Sequence, residues 1–126
     1  MREQRLEPRF LCSDLVTLRW SEAPRRERSE VVVLENISAS GAAVQSEVPV
    51  PDSARVRMIC GKCEFRGTVR SCYWRDSGYF IGIAFDADSK WSKARYQPKH
   101  LLDPRDVKPK PTTSSSRRTA GIPWPL

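Results

Sequence analysis

The sequence contains no long apolar run and only one histidine among its 126 residues. No uninterrupted apolar stretch approaches the ~18 residues that indicate a membrane span. The polar start MREQRLEPR lacks the apolar core of a secretory signal peptide. We therefore expect a cytoplasmic protein without a membrane-spanning segment.

Groups suited to catalysis are equally scarce. A Ser–His or Cys–His pair would have to use His100, which lies near Pro98 and has no nucleophile placed for it. Paired catalytic carboxylates and a glycine-rich phosphate loop are also missing. We expect a protein that is not an enzyme, with no catalytic residues and no cofactor.

The cysteines fall at positions 12, 60, 63 and 72, an even number that could suggest disulfides. A reducing cytoplasm would keep them as thiols. Cys60 and Cys63 flank Gly61 and Lys62, a pair that favours a hairpin turn over a zinc knuckle. Since structural zinc normally needs four ligands and no second ligand pair is recognisable, we expect no metal site.

Positive charge is unevenly distributed along the chain. The net charge is +7, and residues 104–126 supply +4 of it, with five basic residues against one aspartate. Five prolines and the run PTTSSSRRT in the same segment predict a flexible tail. We expect one domain over residues 1–103 and a disordered basic tail over residues 104–126, and the charge favours anionic partners.

Short bursts of β-branched and apolar residues, separated by turn-forming clusters, predict antiparallel strands. Gly61-Lys62 and Asp76-Ser77-Gly78 suit tight hairpin turns. Partial alternation of apolar and polar residues lets one face of each strand be buried. We therefore expect an all-β fold, a small six-stranded antiparallel barrel that is closed or nearly closed. The predicted strands span residues 15–20, 29–35, 41–47, 54–60, 63–74 and 78–85.

The chain beyond the last predicted strand carries a weaker pattern. It predicts a short C-terminal helix over residues 89–102, with Ser89 as its N-cap. Pro98 would kink or end this helix. In the tail that follows, the terminal IPWPL is the only apolar spot.

Two short motifs stand in a fixed order. The first, RLEPR at residues 5–9, carries two arginines four positions apart. The second, NISASG at residues 36–41, lies at the junction between two predicted strands. Arg66 and Arg70 repeat the arginine spacing inside a predicted strand, so the spacing alone is weak and the ordered pair of motifs carries the inference.

Together the two motifs resemble those of the PilZ family of cyclic di-GMP receptor domains. That family pairs an RxxxR segment ahead of a barrel with a [D/N]xSxxG turn after the second strand. The resemblance covers roughly residues 2–85 and includes a last strand similar to YFIGIAF. It implies a PilZ-like barrel that binds cyclic di-GMP, a bacterial second messenger, and its candidate ligand-binding residues here are Arg5, Arg9, Asn36, Ser38 and Gly41.

The chemistry of this ligand suits these residue types. Cyclic di-GMP has two phosphates and two guanines, and the guanidinium groups of Arg5 and Arg9 can fork onto phosphate or onto a guanine edge. Asn36 and Ser38 offer short polar groups for a guanine edge or a phosphate. Gly41 can adopt dihedral angles denied to other residues and lets a ligand approach the backbone.

Trp74, which closes the fifth predicted strand, is a further candidate because some PilZ domains place an aromatic side chain near this point against the ligand. An indole that stacks on a base contributes ~1–3 kcal/mol. A tryptophan that only packs on its neighbours at the barrel end is the competing interpretation.

Three functions stay open. The first is a receptor whose N-terminal arm wraps over the barrel on binding cyclic di-GMP and changes contacts with an unidentified downstream protein. The second is a PilZ-like adaptor that does not bind the ligand, since family members often carry aspartate where Asn36 stands here. A barrel for single-stranded nucleic acid is less expected, because few stacking or basic residues beyond Arg70, Tyr73 and Trp74 suit it.

Overall fold

The structure is a computed structural model that describes residues 7–104. Arg5 and residues 105–126 of the expected tail, with its terminal IPWPL, lie outside the described residues. Within the described part the chain forms six strands and one 3-10 helix. Their bounds are Phe10–Ala23 for β1, Arg26–Ser38 for β2, Gly41–Ser46 for β3, Arg55–Cys60 for β4, Cys63–Arg75 for β5, Gly78–Phe85 for β6 and Ala87–Ser89 for the 3-10 helix.

The six strands close into a barrel in the order β1, β2, β3, β6, β5, β4, and β4 pairs back onto β1. All neighbouring strands are antiparallel. Closure pairs both edges that an open sheet would leave exposed. The expected all-β, six-stranded antiparallel barrel is confirmed.

Alternation along the strands fills the barrel with apolar side chains. In β6, Ile81, Ile83 and Phe85 belong to the core, whereas Gly82 and Ala84, which alternate with them, face outward. The largest fully buried side chains are Phe65, Leu18, Leu34, Ile37, Met58 and Ile81. Because the core occupies the inside of the barrel, a ligand site has to lie on the outer face or at a barrel end.

The first hairpin is longer than the sequence pattern predicts. Both β1 and β2 extend beyond their predicted ranges, and the turn between them consists of Pro24 and Arg25, with Arg25 at a φ of 68°. The charged residues on either side look like a loop in the sequence. They instead form the hydrogen-bonded end of the β1–β2 hairpin, where guanidinium nitrogens of Arg28 lie 3.2 Å from carboxylate oxygens of both Glu22 and Glu30.

The expected helix over residues 89–102 is wrong. Ser89 ends the 3-10 helix, and its hydroxyl accepts the backbone N–H of Arg66 at 3.1 Å instead of capping a helix. Trp91 is buried in the core, and its indole N–H donates to the carbonyl of Tyr96 at 2.7 Å. Because these residues make separate contacts with the barrel, the segment follows the barrel surface and not a helical axis.

The same segment is fastened to the start of β1. Backbone hydrogen bonds of 2.7 and 2.8 Å join Leu102 and Leu11. The hydroxyl of Tyr96 and the backbone N–H of Lys99 both donate to the carboxylate of Asp14, at 2.8 and 3.1 Å. Residues 7–104 contain no helix that is long and apolar enough to cross a membrane.

Candidate functional site

A cleft of about 340 Å³ lies on the outer face of the barrel, over β3, β6 and β5. This volume falls in the range of small-molecule sites, roughly 300–1,000 Å³. Outward-facing positions of these strands carry small residues, so the backbone is open to a ligand. These floor residues are Gly41, Ala43, Ser71, Gly82 and Ala84.

A β-bulge in β2 places Asn36 on the cleft side of the sheet. Leu34 pairs with Val44 and faces the core, so strict alternation would turn Asn36 inward as well. The register shifts after Leu34, which leaves Glu35 as the extra residue and pairs Asn36 with Ala43. The bulge therefore turns Asn36 to the cleft side of the sheet, where it is buried against Arg9 and is not among the residues that line the cleft.

A second bulge, in β5, does the same on the opposite side of the cleft. Val69 pairs with Ile83 in the core, and the register then shifts so that Ser71 pairs with Gly82 on the floor. The extra residue is Arg70, which lines the cleft. Bulges of this kind re-aim side chains and are enriched beside functional sites.

The N-terminal arm contacts the cleft margin through two residues of the first motif, Glu7 and Arg9. Arg9 lines the cleft, and its Nη1 donates to Oδ1 of Asn36 at 3.4 Å. Glu7 accepts two hydrogen bonds from Ser40, one from the backbone N–H at 2.9 Å and one from the hydroxyl at 2.6 Å. The structure thus brings the two sequence motifs together, since Asn36 and Ser40 belong to the second one.

The turn between β2 and β3 forms one end of the cleft. Ser38 and Gly41 pair across it, and the hydroxyl of Ser38 donates to the carbonyl of Gly41 at 3.4 Å. Gly41 does not use the dihedral angles that are open to glycine alone, because Gly61 is the glycine with a positive φ among residues 7–104. An added Cβ on Gly41 would instead lie 2.4 Å from the carbonyl oxygen of Ile83. Close packing of β3 against β6 requires a glycine here.

Trp74 lies apart from the residues that line the cleft. Its side chain is 59% exposed and contacts Tyr79 edge-on, with ring centroids 5.1 Å apart. Tyr73, one position earlier, lines the cleft and packs on Phe80 at 5.7 Å. The aromatic wall of the cleft is therefore built from Tyr73 and Phe80, and the guanidinium of Arg75 lies 4.6 Å over the Phe80 ring.

Sequence reasoning did not assign Arg70, Tyr73, Phe80 and Ser40 to the ligand site. In the sequence analysis, Arg70 and Tyr73 appear only as weak support for nucleic-acid binding. The signal that could have found Arg70 and Tyr73 is the alternation of β5, but the bulge at Arg70 reverses that alternation and hides it. Ser40 lies within the second motif at a position that the motif leaves free.

Two glutamates of the elements around the cleft have shifted pKa values. Burial raises the pKa of Glu7, but hydrogen bonds from Ser40 and Ser38 outweigh burial, so the pKa is lowered and the group is a carboxylate. Burial raises the pKa of Glu35, the bulge residue, although Arg75 partly offsets this. The carboxylate of Glu7 is thus held by donors that belong to the turn.

A second groove, of about 430 Å³, lies over β1 and β4. Its arginines are Arg19, Arg55, Arg57 and Arg66. Arg55 is forked onto the carboxylate of Asp86 at 2.8 and 2.6 Å, and Arg57 lies 2.7 Å from Glu27. Because the protein's own carboxylates occupy these two guanidinium groups, this groove is a weaker candidate for an anionic ligand than the cleft.

The four cysteines are free thiols, and Cys60 and Cys63 pair across the expected two-residue turn at Gly61. The thiol of Cys63 donates to the carbonyl of Arg95 at 2.8 Å. Residues 7–104 contain no group of three or more histidine, cysteine, aspartate or glutamate side chains that could hold a metal ion.

Comparison with solved structures identifies the fold. The PilZ domain of YcgR from Escherichia coli with c-di-GMP is similar with a TM-score of 0.53 and 14% identity, over 69% of this chain and 81% of that one. YcgR of Escherichia coli in complex with c-di-GMP is similar with a TM-score of 0.51 and 13% identity, over 68% of this chain and 39% of that one. The barrel is therefore PilZ-like, which confirms the expected resemblance at the level of the fold.

Sequence comparison adds little to this result. No family profile matches the chain. Two curated proteins, both minor fimbrium subunit Mfa1 of Porphyromonas gingivalis, are 31% identical over 85 residues, or 65% of this chain. The chain spans only 17% of the length of those proteins.

Proposed function

We propose that this chain is a cytoplasmic receptor module that binds cyclic di-GMP in the outer cleft and changes its contacts with another protein, without acting as an enzyme. One observation carries the proposal: on a PilZ-like barrel, Arg9 and the turn at residues 38–41 meet at the same cleft. The solved barrels that resemble this one were determined with the same ligand.

The cleft offers a partner for each part of the ligand. Arg9 and Arg70 stand on opposite sides of the small-residue floor and supply guanidinium groups for two phosphates or a guanine edge. The hydroxyl of Ser38 supplies a short polar group beside them, and the amide of Asn36, which is buried against Arg9, would join it once the ligand engages Arg9. Tyr73 supplies a ring on which a guanine can stack.

Two further residues, Arg5 and Trp74, belong to the proposed site. Arg5 precedes Arg9 by four positions, and both arginines would clamp the ligand from the same arm. Trp74 would reach a second guanine only if its side chain turned away from Tyr79, with which it now makes an edge contact. Replacing Trp74 tests this separately.

The output of the module is a changed surface. The arm with Glu7 and Arg9 contacts the cleft margin through a few hydrogen bonds, so a ligand that engages Arg9 would reposition it. Such a rearrangement of a terminal segment is a common signalling device. An unidentified protein would read the altered arm together with the adjacent barrel surface.

A PilZ-like adaptor that works without the ligand is the second candidate. Leu15 and Val31 on the outer face of β1 and β2 are 66% and 65% exposed, and neighbouring exposed apolar residues favour protein contacts. Asn36 is buried, and its carbonyl oxygen already accepts from Arg9. Nucleic acid stays the least favoured partner, because the arginines Arg55 and Arg57 of the second groove are paired with carboxylates.

Isothermal titration calorimetry with cyclic di-GMP at physiological salt tests the proposal, with GTP as the ligand control. We expect saturable binding that Arg9→Ala abolishes or weakens at least tenfold, because a charge-assisted hydrogen bond contributes about 1.5–3 kcal/mol. Arg19→Ala is the matched control, because Arg19 is exposed on the second groove and its replacement removes the same charge away from the cleft. Absence of binding by the unmodified chain would refute the receptor and leave the adaptor.

A further inference from the structure

The contact between Glu7 and the turn at residues 38–41 has the geometry of an anion site that is already filled. One carboxylate oxygen, Oε2 of Glu7, accepts both the backbone N–H and the hydroxyl of Ser40, at 2.9 and 2.6 Å. Burial raises the pKa of Glu7, but hydrogen bonds from Ser40 and Ser38 lower it further than burial raises it. Lys90 adds a favourable positive charge on the same side.

The donors that hold Glu7 are also donors of the cleft. Ser38 and Ser40 both line the cleft, next to Arg9 and the small-residue floor. The backbone N–H and the hydroxyl of Ser40 are suited to a phosphate oxygen as well as to a carboxylate. Two anions that share these donors would lie within a few ångströms of each other, where like charges repel.

We propose that Glu7 is a built-in competitor for the anionic ligand, a carboxylate that occupies the donors of the turn and has to leave before a phosphate can use them. The inference rests on the proposed function, because it presupposes a phosphate-bearing ligand in the cleft. Glu7 lies two positions before Arg9 on the same arm, so its release and the engagement of Arg9 by the ligand are one movement of the arm.

This arrangement determines whether a mutation of Glu7 strengthens or weakens ligand binding. A competitor lowers the apparent affinity by the fraction of molecules in which it occupies the site. Glu7→Gln keeps the size of the side chain but removes the charge that makes its hydrogen bonds strong. We expect this variant to bind cyclic di-GMP roughly three- to tenfold more tightly than the unmodified chain. If Glu7 only positioned the arm, the same change would weaken binding.

The test is calorimetric titration of the full chain and of Glu7→Gln with cyclic di-GMP, beside Glu47→Gln. Glu47 is exposed beyond the far end of β3, so its variant makes the same change in net charge away from the turn. Tighter binding by Glu7→Gln alone supports the competitor. Equal or weaker binding by Glu7→Gln, with the unmodified chain still binding, overturns the inference and leaves the proposed function standing.

Amide hydrogen exchange provides a readout that needs no ligand. The backbone N–H of Ser40 donates to Glu7, so its exchange should accelerate in Glu7→Gln and stay unchanged in Glu47→Gln. Unchanged exchange in Glu7→Gln would show that the contact does not occupy the donor and would overturn the inference. Absence of cyclic di-GMP binding by all three proteins would overturn the proposed function and this inference with it.

Discussion

Replacing Gly41 by alanine should destabilise the barrel through a clash and not through backbone dihedral strain. An ideal Cβ on Gly41 lies 2.4 Å from the carbonyl oxygen of Ile83, whereas real Cβ atoms essentially never come within 3.0 Å of such an atom. Since the oxygen belongs to the backbone, β3 and β6 must separate locally by at least about 0.6 Å. Overpacking of this kind costs about 1–3 kcal/mol.

Gly82→Ala is the matched comparison on the same cleft floor. Its Cβ would meet the hydroxyl oxygen of Ser71 at 2.8 Å, and that side chain can rotate away. We expect the free energy of unfolding to stay within about 0.5 kcal/mol of the unmodified value. The added methyl group projects into the cleft, so Gly82→Ala should weaken ligand binding while Gly41→Ala mainly lowers stability.

Urea and thermal unfolding, followed by circular dichroism, measure both variants. Each kcal/mol lost should lower Tm by about 4–8 °C for a domain of 60–100 residues. A Gly41→Ala protein as stable as the unmodified chain would refute the steric argument. So would a Gly82→Ala protein that is destabilised as much as Gly41→Ala.

Three further predictions follow from side chains around the barrel. Tyr73→Ala should weaken cyclic di-GMP binding roughly five- to 150-fold, by the ~1–3 kcal/mol of one stacked base, and by more than Trp74→Ala, as titration calorimetry would measure. Burial raises the pKa of Asp14, but hydrogen bonds from Tyr96, Lys99 and Leu15, with the charge of Lys99, outweigh burial and lower it. The stability that this carboxylate contributes is therefore lost as the pH falls below about 3.8. Asp14→Asn should make the free energy of unfolding, measured in urea, depend less on pH in this range. Burial raises the pKa of Cys12 and of Cys60 to about 12, so a thiol reagent at pH 8 should leave both unlabelled in the folded protein and label them after denaturation.

Each of these predictions has a contradicting result. A larger loss of affinity in Trp74→Ala than in Tyr73→Ala would place the stacking surface at the barrel end. An acid-unfolding curve that Asp14→Asn leaves unchanged would show that the hydrogen bonds of this carboxylate do not favour its ionised form. Rapid labelling of Cys60 in the folded protein would contradict its burial.

Much of the barrel follows from local sequence signals. The turn at Gly61 and Lys62 and the one at Asp76 and Ser77 lie between apolar strands, and both are hairpin turns in the structure. Strand alternation then dictates which side chains fill the interior. The end of the first hairpin was harder to predict, because charged residues such as Arg28 look like a loop until their ion pairs across the strands are known.

The segment after β6 was predicted wrongly for a tertiary reason. Its helical signals are local, whereas the positions of Trp91 and Tyr96 are set by the barrel on which they pack. Ser89 illustrates the same point, because a backbone N–H of β5 takes the hydroxyl that a helix cap would use. Tertiary contacts override weak helix propensity in such a segment.

Only part of the candidate site could be predicted from the sequence. The two motifs identified Arg9, Asn36 and the turn, and the structure brings these together. The aromatic and basic residues Tyr73 and Arg70 were not assigned to the ligand site, because a bulge is invisible in the sequence pattern and reverses which side of β5 faces the cleft.

The measurement that tests the central claim most directly is a titration of isotope-labelled protein with cyclic di-GMP, followed by backbone amide NMR. If the cleft is the receptor site, saturable shifts will appear at residues 38–41, Ser71 and Gly82, while Arg19 and Arg57 on the second groove stay unperturbed. Shifts confined to the second groove, or no shifts at saturating ligand, would contradict the account.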